Sequence, residues 1–287
     1  MSNLYLVESP FQLISAIEAR ETFGKGTILI RYSGLKNNDL QLKKIIEFYN
    51  LSNIWELKIN VNKTILDYLK IAFFKIKPFN YNKLFLGNLE SGFLNIITKK
   101  FKQKDIILLD DGAKSIYLQA SFDSSNFYNF FTMFNLKSLP NQKIEINNFK
   151  YLKSKIHNNN LSDDIIFIGA KLSEIGLIKE DYYLDILSKL LKKYKNIIYI
   201  PHREESFDKL AKIEKMGIKI KYLNLPIELI GTQTIPKKVI SFYSTALISL
   251  KKIYNIESSF IKLNINRDIL KIVYNYYEKE LIEEKIW

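Results

Sequence analysis

The sequence predicts an open α/β fold in two domains, and three observations carry that reading. Short apolar, β-favouring runs alternate with segments of helical periodicity along most of the chain. The alternation breaks once, between Ser121 and about Leu161, and then restarts. The 287 residues, 47% hydrophobic and 14% aromatic, suffice for two domains of ordinary size, each with its own core. We place the domains at 1–155 and 156–287. Strand and helix alternating at this spacing imply parallel strands joined by right-handed crossovers.

In the first domain Leu4–Val7 is a short buried strand. Pro10 suits the first turn of a helix, which Phe11, Ile14 and Ile17 continue toward Phe23 and Gly24. Thr27–Tyr32 is a strand, Asp39–Tyr49 a helix, Asn53–Ile59 a strand and Thr64–Phe74 a helix. Lys83–Gly87 is a strand, Leu89–Phe101 a helix and Asp105–Asp110 a very apolar strand. Phe122, Phe127, Tyr128, Phe130, Phe131 and Phe134 then crowd one segment, either as an extra hairpin or helix packed on the first domain or as a flap toward membrane or acceptor. Lys150–Asn160 is polar and reads as the connection between domains. The second domain follows with strands at Asp164–Gly169, Asn196–Pro201, Ile218–Leu223, Lys238–Tyr243 and Ser259–Leu263. Helices are expected at Glu180–Tyr194, Ser206–Met216, Ser244–Tyr254 and Asp268–Glu284, with a short one at Pro226–Ile230. Two such halves make a two-lobed molecule with a cleft.

Composition narrows the function. There is no cysteine, which excludes a disulfide framework and a Cys-based metal site or nucleophile, and fits a reducing cytoplasmic home. The apolar run at the amino terminus lacks a basic n-region and is broken by Glu8 and Pro10, so it reads as a strand and not a signal peptide. No run of about 18 apolar residues predicts a membrane span. A net charge of +13 calls for an acidic counterpart: nucleic acid, an anionic membrane face or a negatively charged substrate. No helix-turn-helix, zinc or aromatic-basic RNA motif supports nucleic acid. No P-loop and no Gly-x-Gly-x-x-Gly fingerprint is present, which argues against a P-loop enzyme or a dinucleotide-linked dehydrogenase.

Four expected strand ends collect polar residues: Asp110-Asp111-Gly112-Ala113-Lys114-Ser115, Gly169-Ala170-Lys171, Pro201-His202-Arg203 and Tyr243-Ser244-Thr245. Ligands of open α/β sheets bind at carboxyl ends of strands. Of the two histidines, His157 lies in the polar connection and His202 at a strand end, where it is placed for proton transfer or phosphate pairing, or else only caps the next helix. Asp110 and Asp111 offer a carboxylate pair for an acceptor hydroxyl, or simply cap a helix. Ser244 and Thr245 open a helix, as an anion site or an ordinary N-cap. Glu228 is a ribose-binding carboxylate or a surface glutamate, and Asp181 a favourable helix-start charge or a cleft carboxylate. Nothing near the Asp pair completes a metal site.

Four stretches together resemble the bacterial sialyltransferases, most closely glycosyltransferase family 52. They are Leu6-Val-Glu-Ser-Pro-Phe-Gln-Leu-Ile-Ser-Ala-Ile-Glu-Ala19, Asp110-Asp111-Gly112, Ile200-Pro-His-Arg-Glu-Glu-Ser206 and Ile240-Ser-Phe-Tyr-Ser-Thr-Ala246. The resemblance implies a GT-B fold, two Rossmann-like domains facing across a cleft, in which the closing helix can return to the first domain. It implies an inverting, metal-independent transfer with no cofactor, from a CMP-activated sialic acid to a terminal galactose-like hydroxyl of an oligosaccharide or glycolipid in capsule, lipooligosaccharide or O-antigen. The first domain would then bind acceptor through Pro10, Phe11, Gln12 and Asp110, and the second would bind the nucleotide. Asp111 falls on the general base, with Asp181 as a second candidate. His202 falls on the group that assists the departing CMP phosphate, and Ser244 and Thr245 on its holders. Glu228 falls on the ribose site, with Gly169 and Arg203 beside the donor. A related nonulosonic acid or another nucleotide sugar is the neighbouring expectation. A basic nucleic-acid- or membrane-binding protein without catalysis is the one from another class. The protein is expected in the cytoplasm, at the inner face of the inner membrane, with no nucleic acid as partner.

Overall fold

The structure is a computed structural model that describes residues 2–157 and 160–286. The chain divides into two compact units, Met1–Lys155 with Asn224–Pro226, and Ile156–Leu223 with Ile227–Trp287.

Unit 1 runs β1 (Asn3–Val7), α1 (Pro10–Phe23), β2 (Gly26–Tyr32), α2 (Lys36–Tyr49), β3 (Ile54–Lys58), α3 (Ile65–Ile76), β4 (Leu84–Leu86), α4 (Leu94–Thr98), β5 (Ile106–Leu108), α5 (Lys114–Ser121), β6 (Asn129–Thr132), β7 (Ile144–Ile146) and α6 (Lys150–Lys155). Its strands pair in parallel in the order β3-β2-β1-β4-β5-β6-β7. β1 is buried throughout, as its unbroken apolar run requires of a strand covered on both faces. Ser9 caps α1 and Pro10 occupies its first turn, where a missing N–H costs nothing.

Three expectations for this unit are corrected. Helix α4 covers only Leu94–Thr98, because Asn88 and Ser91 turn residues 88–91 into a side-chain-bonded loop: Asn88 Oδ1 accepts from the Glu90 amide at 2.9 Å and Ser91 Oγ from the Leu94 amide at 3.4 Å. The aromatic segment is neither a hairpin, a helix nor a flap. It contributes β6, a parallel strand between β5 and β7, with Phe130, Phe131 and Phe134 in the core. The polar stretch after Lys150 begins as helix α6, whose first amides at Tyr151 and Leu152 donate to the buried Glu18 carboxylate at 3.1 and 2.6 Å.

Unit 2 runs β8 (Leu161–Ile168), α7 (Glu180–Lys193), β9 (Ile197–Ile200), α8 (Phe207–Lys215), β10 (Lys219–Ile220), a 3-10 turn (Ile227–Thr232), β11 (Ile235–Ser241), α9 (Ala246–Tyr254), β12 (Glu257–Phe260), α10 (Asp268–Glu280) and β13 (Ile282–Glu283). The order is β10-β9-β8-β11-β12-β13, again parallel. The closing helix packs within its own unit. Leu270, Val273, Tyr274 and Tyr277 are buried within unit 2, Tyr277 donates to the Tyr243 carbonyl at 3.0 Å, and β13 extends the sheet beside β12.

Numbered within its own unit, each sheet has the order 3-2-1-4-5-6, unit 1 adding a seventh strand. The direction of winding therefore reverses between β1 and β4 in unit 1 and between β8 and β11 in unit 2. In open α/β sheets ligands bind outside the carboxyl ends of the strands at such points.

Candidate active site

In unit 1 the reversal point is occupied by Glu8, directly after β1. Its carboxylate pairs with Arg31 of β2 at 2.7 Å and accepts from Asn88 Nδ2 at 2.7 Å and Ser91 Oγ at 2.9 Å. The Glu8 amide donates to Gln12 Oε1 at 2.9 Å, and Gln12 Nε2 donates to Asp111 Oδ1 at 2.7 Å. Lys114 stands 3.8 Å from Asp111 Oδ2, 2.7 Å from Glu90 and 3.3 Å from Asn88 Oδ1. The bonds therefore form a closed ring through Glu8, Gln12, Asp111, Lys114 and Asn88, which holds the Asp111 carboxyl at a partly exposed strand end. Burial pushes that carboxyl above the ordinary aspartate range, opposed by the Gln12 bond and Lys114 and reinforced by Glu8 and Glu90. A raised carboxylate is the form that accepts a proton best near neutral pH.

The turn itself depends on Gly112, whose φ of 65° is left-handed. Asp110 does not share in the site. It is fully buried, accepting from Thr132 Oγ1 at 2.5 Å and the Met133 amide at 2.7 Å, and so ties the end of β5 to that of β6. The expected acceptor contact for Asp110 is corrected accordingly. Pro10 and Gln12 are also buried, Gln12 as the bridge just described, while Phe11 is half-buried with its ring 6.4 Å from that of Phe149.

In unit 2, His202 follows β9 and is half-buried. Its amide donates to Glu205 Oε2 at 2.6 Å, and the Glu204 amide donates to His202 Nδ1 at 3.2 Å. Nδ1 is therefore the acceptor, and the proton of the neutral ring lies on Nε2. Burial and then Arg203 lower the pKa of the ring, so near neutral pH His202 is an uncharged donor through Nε2. Arg203 is exposed, and Lys171 pairs with Glu204.

Beneath this loop lies a buried polar cluster. Lys209 Nζ is 2.7 Å from Glu205 and 2.9 Å from Glu174 and sits over the Tyr183 ring at 4.3 Å. Tyr199 donates to Glu205 at 2.6 Å and meets the Tyr183 hydroxyl at 2.6 Å, which in turn accepts from the Ala170 amide at 3.1 Å. Burial lifts the Glu205 carboxyl, while Lys209, Tyr199 and the His202 amide oppose that rise. The cluster thus joins the loops after β8 and β9. Gly169 closes over it, since a Cβ there would lie 2.3 Å from Glu205 Oε2 and 2.5 Å from the Tyr199 hydroxyl.

Ser244 and Thr245 follow β11 at the start of α9. Ser244 Oγ accepts from the Ala246 amide at 3.3 Å, and Thr245 makes no side-chain capping bond. Glu228 is buried in the 3-10 turn, bonded by Ser249 Oγ at 3.1 Å, and its pKa is raised by burial. It is an interior carboxyl and not a surface glutamate. Asp181 is exposed on the first turn of α7 beside the Glu180–Lys212 pair and touches none of the other candidates. Among the described residues no group of His, Asp and Glu could hold a metal ion. Sequence reasoning missed Arg31, Asn88, Tyr183, Tyr199 and Lys209. Arg31 alone carried a signal, as a charge inside the apolar run of β2.

Residues 133–261 match the model of the alpha-2,8-polysialyltransferase family. No curated protein matches the chain. The alpha/beta-galactoside alpha-2,3-sialyltransferase of Photobacterium phosphoreum is 15% identical, superposes with a TM-score of 0.51 and covers 96% of this chain and 95% of its own. Arabidopsis thaliana UGT89C1 complexed with UDP-L-rhamnose is 12% identical with a TM-score of 0.57, covering 98% and 84%. A UDP-N-acetylglucosamine 2-epimerase from Listeria monocytogenes is 8% identical with a TM-score of 0.54, covering 96% and 81%. The shared architecture shows the fold: each unit is built as in the proteins of GT-B fold, glycosyltransferases among them. The family match covers 129 of the 287 residues, and the matched stretch contains His202, Glu228, Ser244 and Thr245.

Proposed function

We propose that the protein moves a sialic acid from a CMP-activated donor to a glycan hydroxyl with inversion. The observation that supports this most is that the polysialyltransferase match spans β8 to β12, whose carboxyl ends present His202, Ser244 and Thr245 beside the reversal point. In this reading the acceptor hydroxyl gives its proton to the Asp111 carboxylate as its oxygen attacks the anomeric carbon. The bond from that carbon to the phosphate oxygen breaks on the opposite face, and CMP leaves with the electron pair. His202 Nε2–H donates to the phosphate oxygen as charge develops, and the α9 amides with the Ser244 and Thr245 hydroxyls hold the anion. In this reading the ribose lies toward the 3-10 turn that carries Glu228.

The test is CMP release from CMP-sialic acid with a galactose-terminated acceptor. Asp111→Asn and His202→Ala are each expected to lower turnover by about 10²–10⁴ while the melting profile stays that of the wild type. Asp181→Asn should retain activity. Full activity in Asp111→Asn with loss in Asp181→Asn would move the base to Asp181, and no CMP release by the wild type would overturn the donor.

A further inference from the structure

We propose that α3 of unit 1 is a docking element for an anionic lipid bilayer. The helix is amphipathic in the reverse of the usual sense, with its apolar side outward. Ile65 and Ile76 are each 81% exposed, Leu66 67%, Leu69 62% and Phe73 50%. Tyr68 and Ala72 are exposed as well, whereas Asp67 and Phe74 face inward. At roughly 100° per residue, the exposed apolar side chains occupy one continuous arc about 160° wide. An ordinary surface helix turns such an arc into its own core.

The margins of the arc indicate what covers it. Lys75 lies on one side, Lys70 and Lys77 on the other, and Lys63 precedes the helix. Lys77 stands 5.0 Å over the Trp55 ring and 5.4 Å over that of Phe73. Lys100 donates to the carbonyls of Lys75 and Lys77 at 2.8 and 2.5 Å and adds a further cation at the same end. The one acidic residue of α3, Asp67, is turned inward, where it accepts from the Thr64 amide at 3.0 Å, Thr64 Oγ1 at 3.0 Å and Asn60 Nδ2 at 3.1 Å. An apolar stripe bordered by lysines and free of carboxylates matches the boundary of a bilayer, with side chains in the acyl region and ammonium groups at the phosphates. A second copy on the same face would set lysines against lysines. At about 18 Å the helix is too short to cross a bilayer, and no described helix is long and apolar enough to do so. The docking is therefore in-plane and reversible.

The experiment is co-sedimentation of the full chain with vesicles of phosphatidylcholine, with and without phosphatidylglycerol, at physiological salt. Wild type is expected to bind the anionic vesicles and to bind neutral ones much less. Leu69→Glu with Ile76→Glu should lower the partition coefficient at least tenfold. Lys63→Gln and Lys75→Gln should lower it about fivefold each, and added salt should do the same. Circular dichroism and melting temperature of these variants should match the wild type, since each side chain is exposed. Equal partition of all variants, equal binding to neutral vesicles, or no binding at all would overturn the proposal. So would a wild-type dimer in sedimentation that the two glutamates disperse, which would assign the face to a second copy.

Discussion

Lys209→Met probes the buried cluster that holds the His202 loop. The ammonium is fully buried, 2.7 Å from Glu205 and 2.9 Å from Glu174, and it also donates to the Ala170 carbonyl and Ser173 hydroxyl at 3.3 Å. Methionine nearly conserves volume but leaves Glu205, also buried, without its cation. Breaking a buried pair in this way costs about 3–5 kcal/mol. At about 2–4 °C per kcal/mol, the melting temperature should fall by roughly 6–20 °C. Denaturant unfolding with and without Glu205→Gln separates the orphaned charge from lost packing. The double variant should recover at least half of the loss, because the uncompensated carboxylate is gone. The pH dependence has a definite sign. In Lys209→Met the Glu205 carboxyl loses its strongest opposing influence, so its folded pKa lies above the unfolded value near 4.5. The folded state then takes up a proton on acidification. The deficit should be smallest below that unfolded value and grow as pH rises through the folded one. A loss under about 1 kcal/mol, a deficit that ignores pH, or a double variant no better than the single would refute the reasoning.

Asp110→Ala removes a fully buried carboxylate and takes the acceptor from the Met133 amide and from the Thr132 hydroxyl, whose oxygen keeps the Phe134 amide. It should destabilise the protein by about 2–4 kcal/mol in denaturant unfolding, whereas Asp111→Asn should leave stability within about 1 kcal/mol and lower turnover by about 10²–10⁴. With Asp111 as the proposed base, its burial-raised pKa means that protonation removes the base at a higher pH than for an ordinary aspartate, so the acid limb of kcat/KM should lie above the usual aspartate range and should be absent from the residual activity of Asp111→Asn.

The alternation of strand and helix was legible because parallel strands buried on both faces are unbroken apolar runs, as in β1 and β9. The strand β6 was not. Only four residues pair there, and the aromatic run around them mimics a surface hairpin or flap. The repeated strand order was invisible too, since β10 and β13 are two residues each and sheet order is set by crossover geometry and not by local pattern. Among the candidate residues, His202, Asp111 and Ser244 drew notice because they stand two or three residues past the ends of apolar strands. Asp110, one residue from Asp111, has the opposite fate because side chains alternate at a strand end and its own side faces β6. Lys209 and Tyr183 looked like ordinary positions of amphipathic helices. Only the tertiary structure shows that the lysine is buried against Glu205 and that the tyrosine hydroxyl accepts from the Ala170 amide.

The most direct measurement is the melting temperature of the purified chain with CMP, CDP, UDP, GDP and ADP in parallel. A nucleotide that binds only the folded state should add about 2.7 kcal/mol at 100 times its dissociation constant, a rise of several degrees. We expect that rise with CMP, little with UDP, GDP or ADP, and its loss in the Ser244→Ala, Thr245→Ala double variant. A rise with UDP in place of CMP would contradict a CMP-linked donor, and CMP stabilisation that survives the double variant would remove the start of α9 as the phosphate site.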